Sequence, residues 1–219
     1  MTISADRVTQ HFPNRLAAVI RWSDPDAAYQ AVLTVARAGV GSVEITSGTP
    51  RAFELIRRLR QEVAGSCMVG AGTITDAALA RQAVESGADY VVTPYLTPEA
   101  AAVTREAGLF LVMGATTPSE IARAEALGAD LVKVFPAAPI GGPGYIRAVR
   151  GPMPAVPLWV SGGVGIQDVA AYLQAGVQVV GLTNDLFRSE ILQSGDWEQL
   201  AGLAREALAQ AGARAAVTV

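Results

Sequence analysis

Lys133 stands inside the apolar run LVKVF (131–135) and is the only lysine among the chain's 17 basic residues; the rest are arginine. An apolar strand disfavours the ammonium form of an amine. The neutral amine is the form that attacks a ketone to make an imine. Arginine matches lysine's charge but forms no Schiff base at neutral pH, so the bias that removed lysine elsewhere spared one position where its amine could react. The competing reading is a lysine that pairs with a carboxylate or extends its head to the rim. Glu44 lies in a second apolar run, SVEIT (42–46). A carboxylate there must be paired or used. It reads either as a general base with a raised pKa or as half of a structural ion pair. Together, one imine-forming lysine and one acid/base carboxylate suffice for reversible aldol cleavage.

Three glycine-rich segments follow other apolar runs. Gly70-Ala71-Gly72-Thr73 would allow close backbone approach, with the Thr73 hydroxyl offered to a substrate carboxylate; a plain tight turn is the alternative. Ser161-Gly162-Gly163 and Gly181-Leu182-Thr183-Asn184-Asp185 follow the last two runs. Loops in those places recurrently hold phosphate on backbone N–H groups, although tight turns without a ligand would look the same. A further segment, Pro139 to Gly144, reads as a ligand flank or a flexible lid. One histidine, His11, and one cysteine, Cys67, provide neither a zinc cluster nor a Cys–His pair. Both read as structural or surface residues; a metal held by carboxylates alone stays open, although nothing in the sequence points to one, and no cofactor is expected.

The elements that must position these groups are legible from periodicity. Eight short, mostly β-branched runs recur: 16–20, 42–45, 67–70, 90–93, 110–113, 131–135, 158–161 and 179–182. Each is too short for a helix and reads as a strand buried on both faces. Ala/Arg/Glu-rich stretches of helical period lie between most of them. Glycines 39, 87, 108, 128 and 176 sit where helices should end. Asp24-Pro25, Asp76, Thr97-Pro98 and Thr117-Pro118 sit where helices should start. Eight such units predict one α/β domain over 1–219, a (β/α)8 TIM barrel with its core at about 15–210. An open doubly wound sheet is the alternative, disfavoured because no G-x-G-x-x-G follows the first strand. A last helix is expected from Trp197 to about Gln210, with 211–219 frayed. In a barrel the functional residues belong at the C-terminal strand ends.

Composition narrows the function classes. Hydrophobic residues are 51% and charged residues 17%, a globular balance. The net charge of −3 attracts neither nucleic acid nor an anionic membrane. No run of about 18 apolar residues is present, so no transmembrane helix is expected. The N-terminal segment lacks the apolar core of a signal peptide. A single cysteine excludes an intramolecular disulfide and fits a reducing compartment. The expectation is a soluble cytoplasmic protein.

These residues resemble the 2-keto-3-deoxy-6-phosphogluconate (KDPG) and 4-hydroxy-2-oxoglutarate (KHG) aldolase family. The matching segments are VEITSGTP (43–50), VGAGTIT (69–75), ADYVVTPYLTPE (88–99), GATTPSE (114–120), LVKVFPAAPIGGPGYIRAV (131–149), SGGV (161–164) and GLTNDLF (181–187). The glutamate followed by Ile-Thr-x-x-x-Pro is closer to the galactonate branch than to the gluconate branch. The resemblance implies a Schiff base at Lys133, proton shuttling at Glu44 and a carboxylate contact at Thr73. It implies pocket walls at Pro94 and Phe135, and a phosphate end at Ser161, Gly162, Gly163 and Asn184. It implies a homotrimer that acts on a small keto acid and needs no metal. The reaction implied is cleavage of a 2-keto-3-deoxy-6-phospho sugar acid to pyruvate and glyceraldehyde 3-phosphate, with 4-hydroxy-2-oxoglutarate a further substrate. Three positions depart from the family pattern. Gly48 replaces an arginine four residues after the glutamate, and Arg21 matches a galactonate-branch arginine that could supply the charge. Asn184 replaces a serine, and Met113-Gly114 replaces Pro-Gly. The rival readings are an aldolase for an unphosphorylated keto acid, another phosphate-binding barrel enzyme, and a non-catalytic phosphosugar-binding barrel.

Overall fold

A computed structural model describes residues 5–212. All eight apolar runs are parallel strands: β1 Leu16–Ile20, β2 Ser42–Thr46, β3 Met68–Gly72, β4 Tyr90–Val92, β5 Phe110–Ala115, β6 Leu131–Val134, β7 Leu158–Ser161 and β8 Val179–Leu182. They follow one another in order around a closed barrel. Closure comes from β1 against β8, with Ala18 opposite Leu182. Boundaries move by one or two residues from the sequence expectation. Cys67 falls outside β3, β5 runs on to Ala115, and Phe135 lies beyond β6.

Helices α2 (Pro25–Arg37), α3 (Ala52–Glu62), α4 (Ala77–Glu85), α5 (Pro98–Glu106), α6 (Pro118–Ala126) and α7 (Gly142–Arg150) fill the connections. A 3-10 turn at Ile166–Asp168 leads into α8 (Val169–Gln174), and α9 (Ser189–Ser194) precedes α10 (Trp197–Gly212). Residues 213–219, which include most of the expected frayed tail, lie outside the described residues. Asp24 caps α2 by accepting from the Asp26 and Ala27 N–H groups at 2.9 and 3.2 Å. Thr117 and Glu120 form a reciprocal capping box on α6. Thr97 does not cap α5, contrary to its sequence pattern: its hydroxyl donates to the Tyr95 carbonyl at 3.2 Å. The five helix-ending glycines take positive φ, for example +77° at Gly87.

The strands read as uniformly buried runs, but their two faces have different partners. Val43, Ile45, Val132, Val134 and Val160 pack outward against the helices. Ala17, Val19, Tyr90, Val92, Phe110, Val112, Leu131, Trp159 and Val179 pack inward. Strand parity therefore places Glu44 and Thr46 with the inner face of β2, and Lys133 with the inner face of β6. The end opposite the candidate site is closed by an element absent from the sequence expectation, α1 (Ala5–His11). Phe12, just after it, is almost fully buried, with its ring edge-on to Tyr90 and Trp159 at 5.1 Å each. His11 stacks on Phe110 at 4.5 Å, a packing role. Among the described residues, no helix is long and apolar enough to cross a membrane, and no cluster of three or more His, Cys, Asp or Glu could hold a metal.

Candidate active site

β6 ends in Lys133 and Val134, and the inward parity of Leu131 carries Lys133 to the barrel mouth. The Lys133 side chain is 9% exposed, and Nζ lies 3.9 Å from Glu44 Oε2. The same Nζ is 5.4 Å from the Phe135 ring centroid and 5.8 Å from that of Trp159. The amine thus stands between one carboxylate and two aromatic rings. Glu44 is fully buried, and burial raises its pKa against the opposing pull of Lys133 and Arg21. Neither carboxylate oxygen has a hydrogen-bond partner within the described chain, and the same holds for the buried Thr46 Oγ1 and Trp159 Nε1. The inner barrel mouth therefore keeps acceptors and a donor uncommitted where reacting groups would sit.

The glycines of the Gly-Ala-Gly-Thr segment make room for side chains from the neighbouring strands. A Cβ on Gly72 would lie 1.8 Å from Glu44 Oε1, and one on Gly70 would lie 2.2 Å from the Tyr90 ring. β3 gives up its inward side chains so that β2 and β4 can project theirs. Tyr90 is fixed in that space, donating to the Val43 carbonyl at 2.7 Å and accepting from Ser42 at 2.9 Å. Gly114 does the same for β5: a Cβ there would lie 2.2 Å from the Pro94 carbonyl carbon. This lets the turn after β4 close over the mouth beside Lys133, which pairs with Gly114 in register. Met113 packs in the outer cluster, so its departure from the family's proline is on the helix side of the wall.

Arg21, at the end of β1, and Thr73, at the end of β3, meet across the mouth. Arg21 Nη2 donates to Thr73 Oγ1 at 3.0 Å. A Cβ on Gly48 would lie 3.8 Å from Arg21 Nε, so Arg21 occupies the space next to that position. Thr73 has φ +57°, the left-handed region that non-glycine residues seldom adopt. Ser47, which sequence reasoning passed over, donates its hydroxyl to the Thr73 carbonyl at 2.8 Å.

The loops after β6, β7 and β8 form the other side. Phe135 is 38% exposed, with its ring against Gly162, where a Cβ would come within 2.9 Å. Gly163 is pressed equally close to Ala138. The Ala137 and Ala138 N–H groups donate to the Ser161 and Gly162 carbonyls at 2.8 and 3.1 Å, which ties the two loops together. The Pro139–Gly144 segment runs directly into α7, and Tyr145 Oη donates to the Thr116 carbonyl. Ser161 is buried at the inner end of β7, opposite Gly181 in register. Asn184 is exposed in the loop after β8. Two acidic residues stand near this end: Asp185, part of the loop marked in the sequence, and Asp168, which the sequence reading passed over. Asp168 accepts from the Gly165 N–H at 3.1 Å, and Asp185 from the Ile166 N–H at 2.7 Å.

The structure thus brings Lys133, Glu44 and Phe135 into one mouth, with Arg21 and Thr73 paired at the ends of β1 and β3. Ser161 to Gly163 and Asn184 lie at the ends of β7 and β8, and Pro94 closes over β5. Thr46, Ser47 and Trp159 were missed, although the parity of Glu44 and Ser161 on their strands marks Thr46 and Trp159 as inward.

Residues 9–203 match the model of the KDPG and KHG aldolase family. A 2-dehydro-3-deoxy-phosphogluconate aldolase of Pseudomonas aeruginosa is 36% identical over 175 residues, covering 80% of this chain and 79% of that protein. A 2-dehydro-3-deoxy-6-phosphogalactonate aldolase of Escherichia coli is 29% identical over 175 residues, covering 80% and 85%. Among solved structures, a native KDPGal structure superposes with a TM-score of 0.84 at 26% identity, covering 92% of this chain and 96% of that one. On this match of most of its length, the chain belongs to the KDPG and KHG aldolase family.

Proposed function

We propose that this protein is a class I aldolase that cleaves a 2-keto-3-deoxy-6-phospho sugar acid to pyruvate and glyceraldehyde 3-phosphate through an imine at Lys133. The observation that carries the reading is the buried Lys133–Glu44 pair, 3.9 Å apart at the barrel mouth. Lys133 Nζ adds to the C2 ketone, and the carbinolamine loses water to give an iminium. Glu44, as carboxylate, takes the C4 hydroxyl proton. The C3–C4 bond breaks, its electron pair moves towards the iminium nitrogen, and the aldehyde leaves. Glu44, now protonated, returns its proton to C3 of the enamine. Water then hydrolyses the iminium, releasing pyruvate and the free amine. The iminium is the electron sink, so these steps draw on no metal and no cofactor.

Arg21 and Thr73 grip the keto-acid carboxylate, with Arg21 taking the place of the arginine that Gly48 lacks. Pro94 and Phe135 wall the pocket. Backbone N–H groups at Gly162 and Gly163, with Ser161 and Asn184, receive the phosphate. The Arg21–Gly48 exchange favours the galactonate configuration at C4, and 4-hydroxy-2-oxoglutarate is a further substrate. The working form is a cytoplasmic homotrimer, which light scattering would measure.

Borohydride reduction in the presence of pyruvate tests the reading. One reduced pyruvyl unit is expected at Lys133 by peptide mass spectrometry, and an unmodified Lys133 in folded protein would sink it. A second reading, an unphosphorylated keto acid, is favoured by one observation: Asp168 and Asp185 already occupy the Gly165 and Ile166 N–H groups. Pyruvate release from phosphorylated and unphosphorylated sugar acids of both configurations separates the two.

A further inference from the structure

Thr73 adopts the left-handed backbone conformation without being glycine, so something outside its own preferences must hold it there. The loop after β2 does this. The Ser47 N–H donates to the Gly72 carbonyl at 2.8 Å, and the Ser47 hydroxyl donates to the Thr73 carbonyl, also at 2.8 Å. On its other side, Thr73 Oγ1 accepts from Arg21 at 3.0 Å. The next residue, Gly48, leaves open the space beside Arg21. Ser47 thus ties the turn, while the Arg21 side chain runs past Gly48, where a Cβ would be 3.8 Å from Arg21 Nε.

We propose that Ser47 is a positioning residue for recognition of the keto-acid carboxylate. Its hydroxyl fixes the Thr73 turn, so that Thr73 Oγ1 and the Arg21 guanidinium are presented together to the substrate. This rests on the reading above that Arg21 and Thr73 contact that carboxylate. Ser47 touches neither the imine nor Glu44 in this scheme, so it acts on binding and not on the chemical step.

Ser47→Ala removes only the hydroxyl and keeps the backbone bond to Gly72, so the loop retains one of its two ties. The test reads the ketone concentration that gives half-maximal trapping at Lys133 with cyanoborohydride, which reduces the iminium and spares the free ketone. Two ketones are compared: pyruvate, and acetone, which has no carboxylate. In Ser47→Ala the half-saturating pyruvate should rise about fivefold, the scale of one hydrogen bond, with maximal trapping retained. The acetone value should not move. An unchanged pyruvate value, or an equal change for both ketones, would overturn the proposal. Two controls separate its failure from that of the reading beneath it. Wild-type protein that fails to trap pyruvate at Lys133 refutes the imine. Arg21→Ala that leaves the pyruvate value unchanged refutes the carboxylate grip.

Discussion

At Glu44, burial and two neighbouring cations pull in opposite directions, and burial wins: the carboxyl pKa is raised in the folded protein. The sign of the stability effect follows. In acid, below the unfolded value, the group is neutral in both states and costs nothing. As pH rises through the raised folded value, the fold must hold a carboxylate it disfavours, and stability falls. Glu44→Gln should therefore raise Tm relative to wild type more in mildly alkaline than in acidic buffer, measured by thermal denaturation. The same variant should lose about 10²–10⁴-fold in kcat, the scale of one general acid–base group. Arg21→Ala should raise KM for the keto acid by about 10–100-fold, the loss of a charged hydrogen bond. Adding Gly48→Arg should recover part of it, because the space beside Gly48 is the space Arg21 fills. Steady-state kinetics on the single and double variants would show this.

Among the elements, β3 shows how a strand can matter by what it omits. Its inward positions, Gly70 and Gly72, are filled by Tyr90 and Glu44 from the strands on either side. Gly72→Ala should displace Glu44 and destabilise the fold by about 1–3 kcal/mol, the usual cost of overpacking. Gly144→Ala meets no atom within 4 Å and should leave the denaturation midpoint nearly unchanged. The caps show where local pattern suffices and where it does not. Asp24 and Thr117 cap as their types suggest. Thr97 has the same signature, but its hydroxyl goes to Tyr95, whose carbonyl also accepts from Thr93 at 2.7 Å. A tertiary turn outcompeted the local motif there.

For the whole molecule, the barrel separates a reactive end from a sealed one. Phe12 seals the latter, packed edge-on to Tyr90 and Trp159. Phe12→Ala should cost about 3–5 kcal/mol, the range for emptying a buried aromatic site, read as a lower denaturation midpoint. KM for the keto acid should change little in the protein that remains folded, because Phe12 packs on Tyr90 and Trp159, while Arg21 and Thr73 pair at the other end of the barrel. The α1 helix beside it was not legible beforehand. Its seven residues are too few to show a period, and its place depends on the barrel it closes.

The strand count, most helix ends, and the candidacy of Lys133 and Glu44 as chemical groups were readable from the chain alone. They depend on short-range patterns: apolar runs, caps, and residue types whose chemistry has few substitutes. What stands within reach of what was decided by barrel closure. Lys133 and Glu44 meet because β2 and β6 both turn those positions inward. Arg21 meets Thr73 because β1 and β3 flank β2, and the inward glycines belong to Glu44 and Tyr90 because of register. Such contacts join residues far apart in the chain, and spacing along a sequence does not encode a distance across a barrel. So the chain identified Thr73 as a candidate ligand, while only the folded structure showed Ser47 holding it in place.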